Sequence, residues 1–107
     1  MDTAAFVVMY VTCPSQTEAE QMAESLVVQR LAACVNIIPQ ITSVYRWEGA
    51  IEKASEWLLV IKTHRDKMSA VEEHVKSLHS YTVPEVIGLP VLGGSSLYLD
   101  WLAESVS

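Results

Sequence analysis

The sequence predicts an α+β fold of the ferredoxin-like kind, with the order β-α-β-β-α-β, a long central hairpin and a short C-terminal helix. Runs of β-branched and aromatic residues alternate with two stretches of apolar residues at helical spacing. Two of the runs are joined directly at Glu48-Gly49, a dipeptide suited to a tight hairpin turn. The chain has 107 residues, half of them hydrophobic. This size and composition predict one domain, residues 1–107, with a real core.

The first strand and the first helix have the plainest signals. Phe6 to Thr12 is rich in Val, Tyr and Thr and is closed by Cys13-Pro14, which predicts a buried strand. A capping-box pattern runs from Ser15 to Glu18, with an acid in the first helical turn. The residues that then recur at helical spacing are Ala19, Met22, Ala23, Leu26, Val27 and Arg30.

The central hairpin comes next. Ala32 to Ile38 and Ile41 to Trp47 are strand-like, and Pro39 between them predicts a kink or bulge because proline cannot donate to a ladder. Gly49 is free to adopt the positive φ of a hairpin turn. Ala50 to Thr63 is the returning strand. Its alternation puts Trp57, Leu59, Ile61 and Thr63 on one face and Leu58, Val60 and Lys62 on the other.

The second half of the chain is less regular. Asp66 or Ser69 is predicted to cap a helix that ends before Val83-Pro84. Its apolar stripe is Met68, Val71, Val75 and Leu78. Val86 to Val91 is predicted to be an edge strand because it contains Pro90. A final helix, capped by Ser95 or Ser96, is expected to bury Leu97, Tyr98, Trp101 and Leu102.

Charge and composition limit the classes of partner that the chain is expected to bind. Thirteen acids and seven bases give a formal charge of -6, which disfavours nucleic acid and anionic lipid. Before Arg30 there is no Lys or Arg, so a secretory or transit signal is not expected. Apolar runs such as Ala4 to Val11 are far shorter than the roughly 20 residues that cross a membrane. Two cysteines fit free thiols, and a cytoplasmic protein without membrane association is predicted.

The hairpin predicts self-association. At roughly 3.3 Å per residue, Ile51 to Thr63 would reach on the order of 40 Å, whereas a helix of about 15 residues covers roughly 22 Å. A two-stranded ribbon is marginal in water, yet this one carries Tyr45, Trp47, Ile51 and Trp57. We expect a second copy of the chain to cover these side chains, and the alternative is a hairpin that curls back onto its own sheet.

Several separated residues carry a resemblance that spans nearly the whole chain. They are Leu31 to Asn36, Ser43, Tyr45, Trp47, Gly49, Glu56, Lys62-Thr63, His79, Tyr81, Pro84-Glu85, Tyr98 and Trp101. In this order and spacing they resemble the CutA divalent-cation-tolerance proteins. The resemblance implies a tight homotrimer with hairpins wrapping neighbouring subunits, and a link to copper and other divalent metals. The trimer of the CutA family also looks like that of the PII signalling proteins, which bind small effectors between subunits.

One segment departs from the family pattern. Here the residues from His79 to Pro84 read His-Ser-Tyr-Thr-Val-Pro, where the family usually has His-Pro-Tyr-acid-x-Pro. The missing acid weakens a local metal or proton site if that acid was a ligand. If it was only a cap, its loss has no such effect.

Imidazole and thiolate are the ligands that copper favours. The chain offers Cys13, Cys34, His64, His74 and His79, with no pair at tight ligand spacing. His79 is the best metal candidate because it matches a family histidine implicated in metal binding, and its alternative role is a helix C-terminal cap. Cys34 is either a packed core thiol or a second copper ligand. Cys13 is a weaker candidate, and His64 and His74 are expected to be solvated.

A second constellation combines aromatic residues with one acid and one base. Its members are Tyr45, Trp47, Glu56, Lys62 and Tyr81. A simple turn at Glu48-Gly49 would put Ile41 opposite Glu56 and Val35 opposite Lys62, unless a bulge shifts the register. The Lys62 side chain either reaches solvent or enters an intersubunit cleft to bind an anion, with Glu56 as its possible partner. The set is therefore either a ligand cleft or a subunit interface.

No catalytic motif is present: the sequence lacks Gly-x-Ser-x-Gly, a phosphate loop and a dinucleotide fingerprint. The leading hypothesis is a homotrimeric, non-enzymatic protein that binds divalent copper weakly and contributes to metal tolerance. The first alternative is a PII-like trimeric sensor of a small anionic metabolite. The second is a structural trimer with no ligand.

Overall fold

The computed structural model describes residues 5–107. Its elements are β1 (Phe6–Cys13), α1 (Gln16–Val28), β2 (Cys34–Trp47), β3 (Ala50–His64), α2 (Met68–Leu78), β4 (Val86–Pro90) and α3 (Ser96–Ser105). The sheet has the order β2-β3-β1-β4, and all neighbours are antiparallel. The predicted ferredoxin-like order is therefore confirmed. No helix within residues 5–107 has the length and apolar character needed to cross a membrane.

The core lies on the face of the sheet that α1 and α2 cover. Alternation along β1 and β3 sends every second side chain into it. The buried residues of this core include Val7, Met9, Val11, Cys13, Leu26, Leu59, Ile61, Val71 and Val75. One buried hydroxyl, Thr63 Oγ1, donates to the Leu31 carbonyl oxygen at 2.7 Å. Each buried aliphatic side chain contributes about 1.5–3 kcal/mol, so this layer holds the fold together.

The hairpin turns where the sequence predicts. Glu48 and Gly49 have φ of 49° and 82°, as a two-residue turn with both φ values positive requires. A bulge lies between Ile38 and Ile41, where Gln40 has φ of 54°, so the irregularity predicted at Pro39 is confirmed. Ile41 pairs with Glu56 as predicted, but beyond the bulge Cys34, not Val35, lies opposite Lys62.

Helix starts and ends differ in detail from the predictions. The Ser15 hydroxyl caps α1 by accepting from the Glu18 amide at 3.2 Å. The helix stops at Val28, so Arg30 lies outside it, at φ of 59°. A 3₁₀ turn precedes α2, and His64 Nδ1 caps it by accepting from the Asp66 amide at 3.1 Å. The predicted caps Asp66 and Ser69 are therefore wrong, because an imidazole can accept from a turn amide as a hydroxyl does.

The terminal helix buries less than predicted. Ser95 caps it by accepting from the Tyr98 amide at 3.4 Å. Leu102 is buried, whereas Leu97, Tyr98 and Trp101 remain exposed. The stripe predicted from spacing is therefore wrong for three of its four members, since Leu102 is the only buried residue of α3.

The face of the sheet opposite α1 and α2, which we call the uncovered face, has exposed apolar residues at both of its edges. Ile38 on β2 and Ile87 and Leu89 on β4 are exposed large apolar residues. The distal hairpin, residues 41–56, projects further, and its Trp47 and Ile51 are 61% and 59% exposed. The longest dimension of the molecule is 44 Å, against 22 Å for the shortest. The hairpin thus extends beyond the rest of the chain as predicted, with Trp47 and Ile51 more than half exposed.

Candidate metal centre

Three donor side chains meet where β1 ends. Because β3 is antiparallel to β1 and α2 runs back along it, the end of α2 returns to the place where β1 ends and α1 begins. Cys13 is the last residue of β1, Glu18 lies in the first turn of α1, and His79 follows α2. One ligand atom of each lies within 4.8 Å of the others.

The His79 ring is held in one tautomer. Its side chain is completely buried, and Nε2 lies 2.7 Å from the Thr12 carbonyl oxygen. A carbonyl oxygen only accepts, so Nε2 carries the proton and donates, which leaves the lone pair on Nδ1. Histidines that bind metals generally donate their other ring N–H to such a group. His79 thus has the orienting hydrogen bond that is typical of a metal-binding histidine, with Nδ1 as the ligand atom.

The surroundings of Nδ1 are polar and anionic. The Tyr81 amide donates to it at 3.0 Å, and Glu18 Oε2 lies 3.4 Å away. The same Glu18 oxygen accepts from the Ser80 amide at 3.1 Å. In a full capping box this carboxylate would return to the amide of Ser15. Here only the Ser15 half of the capping box forms. The Glu18 carboxylate instead lies against Ser80 and His79, at the end of α2.

The Cys13 thiol completes the cluster. Burial and, to a smaller extent, the nearby negative charges of Glu18 and Glu56 together raise its pKa to about 12. The thiol is therefore protonated at neutral pH, and a bound cation has to displace that proton. A sulfur, an imidazole nitrogen and a carboxylate oxygen suit borderline cations such as Zn²⁺ and Cu²⁺ better than Mg²⁺ or Ca²⁺. The donor set thus fits a divalent transition metal.

A second polar contact adjoins this centre. The Tyr81 hydroxyl donates to Glu56 Oε2 at 2.7 Å, and Glu56 is only 6% exposed. Burial raises the pKa of Tyr81, as do its hydrogen bond to Glu56 and the charges of Glu56, Tyr45 and Glu18. The rings of Tyr81 and His79 lie 4.8 Å apart. Of the predicted constellation, Glu56 and Tyr81 are therefore in direct contact, and Tyr45 is close enough for its charge to raise the pKa of Tyr81.

Lys62 does not belong to this group. It lies six residues from Glu56 along β3, which is about 20 Å in an extended strand. Lys62 Nζ donates to Asn36 Oδ1 at 2.6 Å. The predicted pairing of Lys62 with Glu56 is therefore wrong, because each has another partner. Trp47, opposite Ala50 at the hairpin tip, also lies away from Tyr81, so a single chain does not bring the five predicted cleft residues together.

Cys34 lies apart from the metal centre. It pairs with Lys62, whereas Cys13 pairs with Trp57 five residues earlier on β3, and the two sites face opposite sides of the sheet. Cys34 is half-buried, with Sγ 3.7 Å from Asn36 Oδ1. The expectation of a packed core thiol is therefore wrong for Cys34 and describes Cys13 instead. Copper binding by Cys34 stays a prediction.

The other two histidines, His64 and His74, contact neighbouring parts of the fold. His64 caps the 3₁₀ turn and packs edge-on against Phe6, with ring centroids 5.5 Å apart. His74 Nε2 lies 2.7 Å from Ser25 Oγ and joins α2 to α1. The expectation that both are merely solvated is wrong, since each binds a partner from the chain.

Sequence reasoning underrated Cys13 and did not consider Glu18 as a ligand. One signal was available for each. Cys13 continues the inward alternation of Val7, Met9 and Val11, and this alternation would have indicated a core thiol there. Glu18 lies in the first turn of a helix whose start meets the end of α2 in this topology.

The chain is similar in sequence and in structure to several known proteins. Residues 7–105 match the family described as CutA1 divalent ion tolerance protein. The chain is 50% identical over 103 residues to a chloroplastic CutA protein of Arabidopsis thaliana, covering 96% of this chain and 57% of that protein. It is 48% identical over 98 residues to a divalent-cation tolerance protein CutA of Thermus thermophilus, covering 92% and 95%. The crystal structure of CutA1 from Oryza sativa superposes with a TM-score of 0.95 at 48% identity, covering 98% and 96%.

Proposed function

Because the chain belongs to the CutA1 divalent ion tolerance family, we propose that it is a homotrimer that binds divalent cations, copper among them, through Cys13, Glu18 and His79. The observation that carries the proposal is the convergence of three donor atoms within 4.8 Å. These donors come from three separate elements and include a fully buried imidazole. The name of the Thermus thermophilus relative, a divalent-cation tolerance protein, points the same way.

Each residue has a definite part in this site. His79 offers Nδ1 because Nε2 donates to the Thr12 carbonyl oxygen. Glu18 supplies negative charge that offsets part of the charge of the cation. Cys13 supplies a soft sulfur once its proton leaves, and the raised pKa makes binding weaker at neutral pH than at an exposed thiol. Among divalent ions of this kind, Cu²⁺ binds nitrogen and sulfur donors most tightly.

Exposed apolar residues on the distal hairpin and on β4 support the trimer. Trp47, Ile51 and Val44 on the distal hairpin, together with Ile87 and Leu89 on β4, are large apolar residues exposed in one subunit. Two such groups of exposed apolar residues, at opposite edges of the sheet, are surfaces through which neighbouring copies can associate. The resemblance and the family membership favour three copies over two.

Calorimetry tests the cation site. Native protein should bind Cu²⁺ with heats that are strongly reduced in Cys13→Ser and His79→Gln. His74→Gln and Cys34→Ser are matched controls, since they alter the same residue types elsewhere in the subunit, and they should bind like the native chain. Unchanged binding in both Cys13→Ser and His79→Gln would remove the site from the proposal.

Light scattering tests the trimer. The mass at micromolar concentration should be three times the 11.9 kDa of one chain. Ile51→Asp places a charge on an exposed apolar position of the distal hairpin and should shift the mass toward one chain. A native monomer under these conditions would contradict the proposed assembly.

A further inference from the structure

We propose that cation binding at His79 is coupled to Tyr81, so that a cation at Nδ1 displaces the Tyr81 amide and loosens the bond between the Tyr81 hydroxyl and Glu56. We call these two hydrogen bonds, Tyr81 amide to His79 and Tyr81 hydroxyl to Glu56, the Tyr81 bridge. This inference rests on the proposed function, since it concerns the same cation site. It adds a consequence of binding for the uncovered side of the sheet.

The first step is competition for one lone pair. In the tautomer fixed by the Thr12 carbonyl oxygen, Nδ1 of His79 has a single in-plane lone pair. That lone pair accepts the Tyr81 amide proton across 3.0 Å. A metal ion coordinates an imidazole through the same lone pair, so the amide contact and the coordination bond exclude each other.

The neighbouring Ser80 contact behaves differently. The Ser80 amide donates to Oε2 of Glu18 at 3.1 Å. A carboxylate has two oxygens and about four lone-pair positions, so Glu18 can retain this amide while it faces a cation. Displacement is therefore specific to Tyr81, and Ser80 acts as the fixed point about which the segment turns.

The second step carries the change to Glu56. The Tyr81 hydroxyl lies 2.7 Å from Glu56 Oε2, a charge-assisted bond that is sensitive to small displacements. Glu56 is nearly buried and pairs with Ile41 at the start of the distal hairpin. If Tyr81 moves, this carboxylate loses a donor and must gain another from solvent or from a neighbouring chain. Cation binding thereby changes the hydrogen bonding of Glu56 at the base of the exposed hairpin.

Reciprocity gives the coupling a measurable sign. If binding a cation breaks the Tyr81 bridge, removing one of its two bonds beforehand must favour the cation by the free energy that this bond contributes. Tyr81→Phe deletes the hydroxyl and keeps the ring against His79. Its affinity for Zn²⁺, which is redox-inert, should rise by about fivefold or more, the lower end of typical coupling. Tyr98→Phe is the matched control, because Tyr98 packs on Trp101 away from this site.

The experiment combines Zn²⁺ calorimetry on native, Tyr81→Phe and Tyr98→Phe proteins with amide NMR of the native trimer. We expect the Tyr81 amide resonance to shift on Zn²⁺ addition, the Ser80 resonance to shift less, and only Tyr81→Phe to bind more tightly. Zinc binding that depends on Cys13 and His79 but leaves the Tyr81 resonance and the Tyr81→Phe affinity unchanged would overturn the coupling and leave the proposed function intact. Absence of zinc and copper binding would overturn both.

Discussion

The two thiols of the chain lie in opposite environments. Cys13 is buried at the end of β1 beside His79 and Glu18. Cys34 is half-buried on the uncovered face, where Asn36 Oδ1 accepts from both its thiol and the Lys62 ammonium. A carboxylate attracts a divalent cation and an ammonium repels it. The environment of Cys13 therefore favours a metal, and that of Cys34 opposes one.

This difference shows that donor type alone does not decide a metal site. The strand position of Cys34 and that of Cys13 are equally compatible with a ligand role. What separates them is the arrival of other donors from distant parts of the chain, with Cys13 and His79 brought together by the return of α2. Substitutions at the Cys13 site should therefore change cation binding, and matched substitutions elsewhere in the chain should not.

The largest expected effect concerns thiol reactivity. In a Cys34→Ser background, Cys13 should react with iodoacetamide on the order of 1000-fold more slowly in the native than in the unfolded protein. The reason is that the pKa of Cys13 rises from 9.0 to about 12 on folding, which depletes the reactive thiolate. Mass spectrometry of the alkylated peptide measures the rate. Similar native and unfolded rates would contradict the described burial of Cys13.

The next effect is the loss of a ligand. His79→Gln should lower Zn²⁺ affinity by about 100-fold, because changes even in groups that support a ligand cost 10–100-fold. Competition with a chromophoric chelator measures it. His74→Gln should bind like native protein, and an equal loss in both variants would show that the histidines act only through the fold.

The affinity should also depend on pH with a definite sign. Protons compete with the cation for the Cys13 sulfur, and the thiol stays protonated at every pH below its pKa of about 12. The apparent Zn²⁺ affinity should therefore rise with pH, by about tenfold per unit between pH 7 and 8.5. Cys13→Ser should flatten this slope and Cys34→Ser should leave it. A flat slope in native protein would mean that sulfur does not bind the ion.

A smaller effect is expected from the carboxylate. Glu18→Gln keeps the size of the side chain and an oxygen for the Ser80 amide, but removes one negative charge near the cation. Affinity for Zn²⁺ should fall by about tenfold or less, measured by calorimetry. The control is Glu20→Gln, since Glu20 bonds Gln16 on the exposed side of α1. An equal fall in the control would point to net charge and not to coordination.

The fold was largely predictable because its signals are local. Alternation in β1 and β3, the Ser15 cap, the irregularity at Pro39 and the turn at Glu48-Gly49 each depend on neighbouring residues. The bulge itself was expected, but its size was not. One added residue moved Cys34 opposite Lys62, a shift that a sequence pattern does not specify.

The site was predictable only in part. His79 was identified by residue type and family resemblance, whereas Cys13 and Glu18 join it through contacts between residues more than sixty positions apart. The burial that raises the pKa of Cys13 is likewise a property of tertiary packing. Exposure on α3 was missed for the same reason, because spacing shows that an apolar stripe exists but not what covers it.

Cobalt absorption tests the central claim most directly, because a Co²⁺ ion bound to a thiolate gives an intense charge-transfer band that a cation bound elsewhere does not. We predict this band in native protein and in Cys34→Ser, and its absence in Cys13→Ser. A band that survives in Cys13→Ser and disappears in Cys34→Ser would contradict the account and would identify Cys34 as the metal ligand.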